Sequence, residues 1–123
     1  MHRITQDVFM PITELMDAMQ TFVDERDWNQ FHSPKNLATG LIIEAGELLE
    51  CVQWDDPTPS DLFSDPARLG HLGDEIADVF LYLIRLVTVM EMDLIDLARK
   101  KMLKNEVKYP VENSKGRWQG RWE

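Results

Sequence analysis

Apolar residues follow a helical spacing of three and four along the first part of the chain. Between Pro11 and Arg26 they fall on one stripe, at Ile12, Leu15, Met16, Met19, Phe22 and Val23. Pro11 suits the first turn, because its missing N–H would have no intrahelical partner there. The pattern predicts a first helix over 11–26.

A second apolar stripe predicts a helix that begins after a loop over 27–33. Ser33 supplies an N-cap and Pro34 the first helical residue. The helix is expected to continue to about Trp54, with an apolar face formed by Leu37, Leu41, Leu48 and Val52. Residues 55–68 are rich in proline, aspartate and serine, so we expect them to form the main internal loop without a long regular element.

Two further helices are predicted in the second half of the chain. The third runs from near Arg68 to about Met90 and is apolar on nearly all sides, as is typical of the most enclosed helix of a bundle. The fourth begins after Asp93, which can cap it, and ends at Tyr109-Pro110. Since no strand-like alternation or hairpin signal occurs, the sequence predicts an all-α four-helix bundle.

Length and composition narrow the classes of protein to which the chain can belong. Its 123 residues, 44% hydrophobic and 28% charged, predict one folded domain. The single Cys51 gives no disulfide framework and the N-terminus lacks signal-peptide features, so we expect a reducing, cytoplasmic location. The apolar run 76–90 contains Asp78 and Arg85 and is too short for a membrane span, so no membrane partner is expected.

Charge is distributed unevenly along the sequence. Residues 1–92 hold 5 Lys and Arg against 17 Asp and Glu, whereas residues 93–123 hold 8 against 5. Nucleic-acid binding relies on many Lys and Arg side chains, so the acidic body argues against a nucleic-acid partner. A phosphorylated ligand would require a divalent cation as mediator.

Four acidic residues stand out because the helices around them are otherwise apolar. Glu44 and Glu47 are three residues apart in the second predicted helix, which places them on neighbouring turns of one face. The third predicted helix carries a comparable polar stripe that comprises Glu75, Asp78, Tyr82 and Arg85. We expect the carboxylates of the two helices to face each other inside the bundle.

Enclosing four carboxylates opposes folding, since desolvation and like-charge repulsion both disfavour the ionised forms. Protonation, pairing with Arg or Lys, or a divalent cation can compensate. Carboxylates without a Cys or His cluster favour Mg²⁺, with Ca²⁺ or Mn²⁺ as alternatives, and His71 is expected to be an ordinary polar residue. A solvated acidic face that forms ion pairs is the simpler alternative, which the apolar surroundings disfavour.

The acid pattern, E-x-x-E followed after 27 residues by E-x-x-D, resembles that of the all-α nucleotide pyrophosphohydrolases of the MazG type. The stretches ERDWNQFHSPKNL, EAGELLECVQW and DEIADVFLYLIRL are similar to the dCTP pyrophosphatase branch of that family, as is the spacing of Lys101, Asn105, Tyr109 and Pro110. The resemblance covers about residues 12–110. It implies a MazG-like bundle over 1–110 and a separate tail over 111–123.

The resemblance implies hydrolysis of a nucleoside triphosphate, dCTP or a related deoxynucleotide, to the monophosphate and pyrophosphate. It implies Mg²⁺, with Mn²⁺ as a substitute, held by Glu44, Glu47, Glu75 and Asp78, and Glu47 is our first choice for the general base. It implies substrate binding by Trp28, His32, Asn36, Trp54, Tyr82, Lys101, Asn105 and Tyr109. Nine residues before Trp28, where the family pattern has His, this chain has Met19, which favours a broader choice of bases.

Family members assemble as dimers or as tetramers of two dimers, and the resemblance implies a homo-oligomer here. The apolar third helix supports this expectation, because three short neighbours give it too little cover. The tail is expected either to be flexible or to fold over a neighbouring subunit through Trp118 and Trp122.

Two alternatives to this function remain at the level of sequence. Phosphoribosyl-ATP pyrophosphohydrolases share the acid pattern, although the aromatic residues of ERDW and QW argue against them. A non-catalytic helical module, with an acidic stripe that binds a basic partner, would need neither a cation nor a nucleotide.

Overall fold

The computed structural model describes residues 10–117, and every regular element in that range is a helix, with no strand among those residues. In chain order the helices are α1 (Ile12–Glu25), α2 (Pro34–Glu50), α3 (Pro59–Phe63), α4 (Pro66–Val89), α5 (Leu94–Lys108) and α6 (Val111–Ser114). The four long helices are α1, α2, α4 and α5, and the short ones are α3 and α6. A single 3₁₀ turn, Asn29–Phe31, lies between α1 and α2. The prediction of an all-α fold is confirmed.

Helix boundaries follow the capping residues read from the sequence. The Ser33 hydroxyl accepts a hydrogen bond from the Asn36 backbone N–H at the start of α2, and Pro34 follows it. The Asp93 carboxylate accepts from the Asp96 backbone N–H at the start of α5. These side chains occupy backbone donors that have no intrahelical acceptor, so both predicted caps are confirmed.

The segment 55–68 is more regular than the sequence analysis predicted. Thr58 and Asp61 form a capping box, with 3.2 Å and 2.9 Å between the bonded atoms, and this box stabilises the short helix α3. Asp65 caps α4, which therefore begins at Pro66, ahead of the predicted Arg68. Pro59 and Pro66 occupy the first helical positions of α3 and α4, where proline favours a helix start.

The chain forms two compact units, one that ends at Glu91 and one that begins at Met92. In the first unit α4 is the central helix and packs against α2, α1 and α3. Its core contains the fully buried side chains of Val23, Leu37 and Ile84. The second unit contains α5 and α6, so the predicted tail begins as a short helix, and Trp118 and Trp122 lie outside the described residues.

Arg68 fixes the end of α2 to the start of α4. Its guanidinium donates two hydrogen bonds to the Cys51 carbonyl, at 3.1 Å and 2.9 Å, and two to the Asp55 carboxylate. Cys51 closes α2, whereas Arg68 lies in the first turn of α4, so the two helices run antiparallel. A cation at a helix C-terminus is also favoured by the helix dipole.

Burial of α4 is less complete than its composition predicted. Ile84 and Val87 are buried, whereas Ile76 is 52% exposed and Phe80 is 39% exposed. This helix is also the most apolar one, yet within residues 10–117 no helix combines the length and the hydropathy that crossing a membrane would require. Its exposed apolar side chains need another explanation.

Candidate functional site

Three carboxylates from two helices converge where α2 and α4 pack together. Glu44 on α2 and Glu75 and Asp78 on α4 each offer an oxygen atom, and these atoms all lie within 4.8 Å of one another. Glu75 is 7% exposed, and Glu44 and Asp78 are half-buried. A spacing of three residues within a helix and the antiparallel packing of α2 on α4 together produce this cluster.

Glu47 completes the acidic group, although it is not one of the three residues whose oxygens converge. Its carboxyl group lies within hydrogen-bonding distance of both Glu44 and Glu75. Two carboxyl groups this close share a hydrogen bond only when one of them carries a proton. The four acids of the sequence pattern are therefore neighbours in the structure.

Burial raises the pKa values of two acids in this cluster, Glu44 and Glu75. Burial is the largest cause that raises the pKa of Glu44, to about 7, followed by the hydrogen bond and the negative charge of Glu47. Burial and then the charge of Glu47 also raise the pKa of Glu75 above its ordinary value, with His71 acting in the opposite direction. The ionised cluster is electrostatically unfavourable unless positive charge compensates it.

Two buried oxygen atoms of the cluster lack hydrogen-bond partners among the described residues, and this indicates the kind of ligand that the cluster can bind. Oε2 of Glu44 and Oε2 of Glu75 are buried and have no hydrogen-bond partner within the described part of the chain. Buried polar atoms are normally paired, so an unpaired pair of carboxylate oxygens at one point indicates space for a cation. Oxygen ligands of this kind suit a hard divalent ion, and the residues present therefore fit a metal site.

A cavity of about 180 Å³ adjoins this cluster within the same compact unit. Asp78 and Tyr82 line it from α4, and Trp28 and His32 line it from the segment between α1 and α2. The other lining residues are Met19, Phe22, Val23, Leu37, Leu81 and Arg85. Asp78 thus belongs both to the acidic cluster and to the cavity wall. Met19, the position at which the family pattern has His, lies on this wall.

Trp28 is held at the cavity by its aromatic neighbour. The Trp28 ring packs edge-to-face on the Phe22 ring, with 5.7 Å between the ring centroids. Phe22 also contacts the Arg26 guanidinium, which lies 3.6 Å from the centroid of the Phe22 ring. Asp27 precedes Trp28 with a positive φ of 54°, which turns the chain back after α1. Trp28 remains 43% exposed and so presents aromatic surface that a flat ligand can contact.

Gly40 supports Tyr82 from the opposite helix. A β-carbon added at Gly40 would overlap the Tyr82 ring, with only 2.6 Å to its Cζ atom. The aromatic ring therefore lies directly on the backbone of α2. No sequence signal singled out Gly40, because only the packing of α2 on α4 reveals what faces it.

Arg85 lies on the cavity wall, buried to 3% exposure, at the centre of a hydrogen-bond network. It donates from Nε to His32 Nδ1 at 2.8 Å, from Nη1 to Gln20 Oε1 and from Nη2 to Asn29 Oδ1 at 2.7 Å. The sequence analysis placed Arg85 on the polar stripe of α4. Its three acceptors could not be predicted, because they lie more than 50 residues away along the chain and no sequence pattern connects them to Arg85.

Two of the predicted substrate-binding residues lie elsewhere in this unit. Trp54 follows α2 in a turn, is 89% exposed and is not part of the cavity wall. The Asn36 side chain donates to the Phe31 carbonyl at 2.9 Å, which secures the 3₁₀ turn beside the cavity, but it does not line the cavity. Their contact with substrate stays a prediction.

Three more predicted residues belong to the second unit. Lys101 is an exposed residue on α5, Asn105 is a half-buried one, and Tyr109 closes that helix. The Tyr109 backbone N–H donates to the Asn105 carbonyl at 2.8 Å, and the Lys108 ammonium lies 5.3 Å from the Tyr109 ring centroid. Their predicted roles at the phosphates also stay predictions.

Comparison with known proteins agrees with the sequence pattern. Residues 41–120 match the MazG-like family. dCTP pyrophosphatase 1 of Mus musculus is 41% identical over 96 residues, which are 77% of this chain and 56% of that protein. The Homo sapiens protein of the same name is 40% identical over 91 residues, 73% of this chain and 54% of that one. The chain spans about half the length of these curated relatives.

A solved structure gives the same result for the fold. A pyrophosphatase from Archaeoglobus fulgidus DSM 4304 superposes with a TM-score of 0.74 and 39% sequence identity, over 87% of this chain and 99% of that one. The resemblance inferred from the acid pattern is thereby confirmed. With most of its length matched by the family pattern and relatives about 40% identical, this chain belongs to the MazG-like family.

Proposed function

We propose that the protein is a nucleotide pyrophosphohydrolase that cleaves dCTP or a related deoxynucleoside triphosphate to the monophosphate and pyrophosphate. The observation that carries the proposal is the convergence of Glu44, Glu75 and Asp78, with buried oxygens that have no partner in the described residues. The relatives at about 40% identity, which are dCTP pyrophosphatases, support the same chemistry.

We propose Mg²⁺, with Mn²⁺ as a substitute, as the ion that the acidic cluster holds. Glu44, Glu75 and Asp78 would be ligands, and Glu47, their neighbour, is proposed as the fourth. The cation supplies positive charge that orients the triphosphate and stabilises the charge that develops during cleavage. Without it, an acidic cluster would repel an anionic substrate.

Glu47 is proposed as the general base. Its carboxylate lies beside Glu44 and Glu75 at the edge of the cluster, where it can take the proton of a water molecule aimed at the α-phosphorus. Attack there breaks the bond between the α-phosphorus and the bridging oxygen, so pyrophosphate leaves. Asp78 belongs both to the acidic cluster and to the cavity wall, which supports a position for the nucleoside next to the cluster.

The cavity is proposed to take the nucleobase. An engineered cavity of about 150 Å³ binds benzene, so about 180 Å³ accommodates a single six-membered ring with its substituents. Trp28 and Tyr82 offer aromatic surface to such a ring, and each stacking contact is worth about 1–3 kcal/mol. Lys101, Asn105 and Tyr109 are proposed to contact the phosphates, and Trp54 and Asn36 to enclose the nucleoside.

The reaction products test this proposal. The full-length protein incubated with dCTP and Mg²⁺ is expected to release dCMP and pyrophosphate in equal amounts, measured by anion-exchange chromatography. Orthophosphate with dCDP would contradict the assignment, because it requires cleavage at the γ-phosphorus. Turnover of phosphoribosyl-ATP with no turnover of dCTP would move the protein to the related activity.

A homo-oligomer, dimer or tetramer, is proposed as the working form in the cytoplasm. Large apolar side chains are exposed on α2 and α4, the two helices that carry the acids, at Ile42, Ile43, Leu49, Ile76 and Phe80. Large exposed apolar side chains on helices that are otherwise packed in the core support an interface with another subunit. Light scattering coupled to gel filtration is expected to give a mass at least twice the 14.4 kDa of one chain.

A further inference from the structure

Arg85 carries a buried charge without an ion pair. No carboxylate among residues 10–117 forms a salt bridge with it, yet the side chain is almost completely enclosed. Its three acceptors among the described residues are all neutral, namely the His32 imidazole and the amide oxygens of Gln20 and Asn29. The two amides then donate to the Asp24 carboxylate, at 2.8 Å and 2.7 Å.

This network fixes the orientation of each member. Arg guanidinium N–H groups only donate, so Gln20 and Asn29 must turn their oxygens to Arg85 and their NH₂ groups to Asp24. The amides thus relay the negative charge of Asp24 to a buried cation. Hydrogen bonds from Asn29 and Gln20 are the largest causes that lower the pKa of Asp24, so this carboxylate stays ionised at neutral pH.

The same argument determines the chemistry of His32. Its Nδ1 atom faces the Arg85 Nε–H at 2.8 Å and must accept, so Nδ1 carries no proton. Burial and then the positive charge of Arg85 lower the pKa of His32, which favours a neutral ring. A neutral imidazole without a proton on Nδ1 has it on Nε2, and the ring therefore offers one N–H donor on the side away from Arg85.

We propose that Arg85 is a positioning residue that fixes the Nε2–H tautomer of His32, so that the cavity presents a hydrogen-bond donor to a carbonyl or ring-nitrogen acceptor on the nucleobase. His32 and Arg85 both line the cavity with Trp28 and Tyr82. No partner for His32 Nε2 is present in residues 10–117, which leaves that donor available to a ligand. The role in substrate choice rests on the proposed function, whereas the tautomer does not.

The tautomer is tested without substrate by long-range ¹H–¹⁵N correlation NMR on the ¹⁵N-labelled full-length protein at about pH 8, where an ordinary histidine is neutral. The chain has three histidines, and the H32N variant identifies the His32 signals by their loss. We expect a single Nε2-protonated tautomer in the unaltered protein and a mixture in R85M. In the control Q20A the Arg85–His32 bond remains, so the tautomer should not change.

A proton on Nδ1 of His32 in the unaltered protein would overturn the proposal, whether or not R85M folds. A single Nε2-protonated tautomer in a folded R85M would overturn it too, because Arg85 would then not be its cause. The conservative variant R85K provides the second test if R85M does not fold. Lys has a methylene group where Arg has its Nε–H, so R85K keeps the positive charge but lacks the donor that bonds His32 Nδ1. R85K is therefore expected to lose the single tautomer.

Kinetics tests the role in the pocket. R85M is expected to raise KM for dCTP about tenfold, the value of one hydrogen bond, with kcat within about twofold of the unaltered protein. The double variant R85M/H32A should show the same KM as H32A, because Arg85 acts through His32. Additive effects on KM would overturn the pocket role. No turnover of dCTP by the unaltered protein would overturn the proposed function and leave the tautomer result standing.

Discussion

Glu75 and Arg85 are both buried charges on α4, and they are compensated in opposite ways. Arg85 donates a hydrogen bond from each of its three nitrogens and reaches an ionised carboxylate through two amides. Glu75 lies among other carboxylates and keeps a buried oxygen without a partner in the described residues. Two charged residues ten positions apart on one helix thus differ in their partners. The Arg85 guanidinium has hydrogen-bond acceptors, whereas an oxygen of Glu75 has no partner among the described residues.

The difference indicates what each charge is for. A satisfied network holds its members in one orientation, which suits the positioning of a ligand-binding side chain. An unsatisfied carboxylate cluster opposes folding when it is ionised and becomes favourable when a cation binds. Variants that neutralise the two sites should therefore behave differently in activity, in stability and in their response to Mg²⁺.

The largest expected effect is on turnover. Asp78→Asn removes one carboxylate charge from the cluster, and we expect kcat/KM for dCTP to fall by at least about 100-fold, since even groups that only support a metal ligand matter by 10- to 100-fold. The measurement is pyrophosphate release at saturating Mg²⁺. Asp74→Asn is the matched control, because Asp74 is an exposed acid on the same helix. Equal losses in both variants would contradict a specific role for the cluster.

Stability should change in opposite directions at the two sites. In EDTA, Arg85→Met should lower the free energy of unfolding by about 3 kcal/mol, because it leaves acceptors on His32, Gln20 and Asn29 without their donor. Glu75→Gln should raise the melting temperature of the metal-free protein, because it removes repulsion from a crowded cluster. Thermal unfolding by circular dichroism measures both. Destabilisation by Glu75→Gln in EDTA would show that its charge is already compensated.

Two glycines of α2 sharpen the contrast between the cavity and the rest of the helix. Gly46→Ala has open space around the new methyl group and should raise the free energy of unfolding by up to about 1 kcal/mol. Gly40→Ala should instead lower it by about 1 kcal/mol, because the overlap with Tyr82 exceeds the gain in helix propensity. KM for dCTP should rise in Gly40→Ala alone. Urea unfolding and steady-state kinetics on both variants check these outcomes.

The last expected effect is the pH dependence of the metal-free protein. The folded state raises the pKa of Glu44 from 4.5 to about 7 and also raises that of Glu75, so it binds protons that the unfolded chain has released. This stabilising contribution is complete below about pH 4.5 and is lost as the pH rises to about 7. Melting temperatures in EDTA should fall across this range, less steeply in Glu44→Gln, and Mg²⁺ should restore stability most at the alkaline end.

A slope in Glu44→Gln equal to that of the unaltered protein would contradict the assignment to Glu44. The comparison between variants is needed because His32 acts in the opposite direction. Its lowered pKa makes its contribution fall as the pH decreases, so it partly cancels the slope due to the acids.

The fold was largely predictable because helices depend on local signals. The apolar periodicity of α1 and the caps Ser33 and Asp93 fixed where helices occur and where two of them begin. No long helix lies within residues 55–65, as predicted, but the prediction missed the short helix α3 and the start of α4, because prolines were interpreted as helix breakers although Pro59 and Pro66 begin helices. The same residue type stops a helix or starts one depending on the cap in front of it.

The acidic cluster was also predictable, since a spacing of three within two apolar helices is a local pattern. The residues that line the cavity were only partly predictable. Trp28 and His32 were identified through the family resemblance, whereas Gly40 and the acceptors of Arg85 become visible only when distant segments pack together. For Trp54 the resemblance predicts a contact with the nucleoside, but in the structure this side chain is 89% exposed and does not line the cavity.

Asp78 belongs both to the acidic cluster and to the cavity wall, and this overlap has an evolutionary consequence. Under the proposed function, the acids that handle the phosphates come from α2 and α4, whereas Met19 and Trp28 come from α1 and the segment after it. Lineages could then exchange side chains on that wall, and drift in the base they prefer, while the hydrolytic chemistry is inherited unchanged. A change at Asp78 would alter both at once.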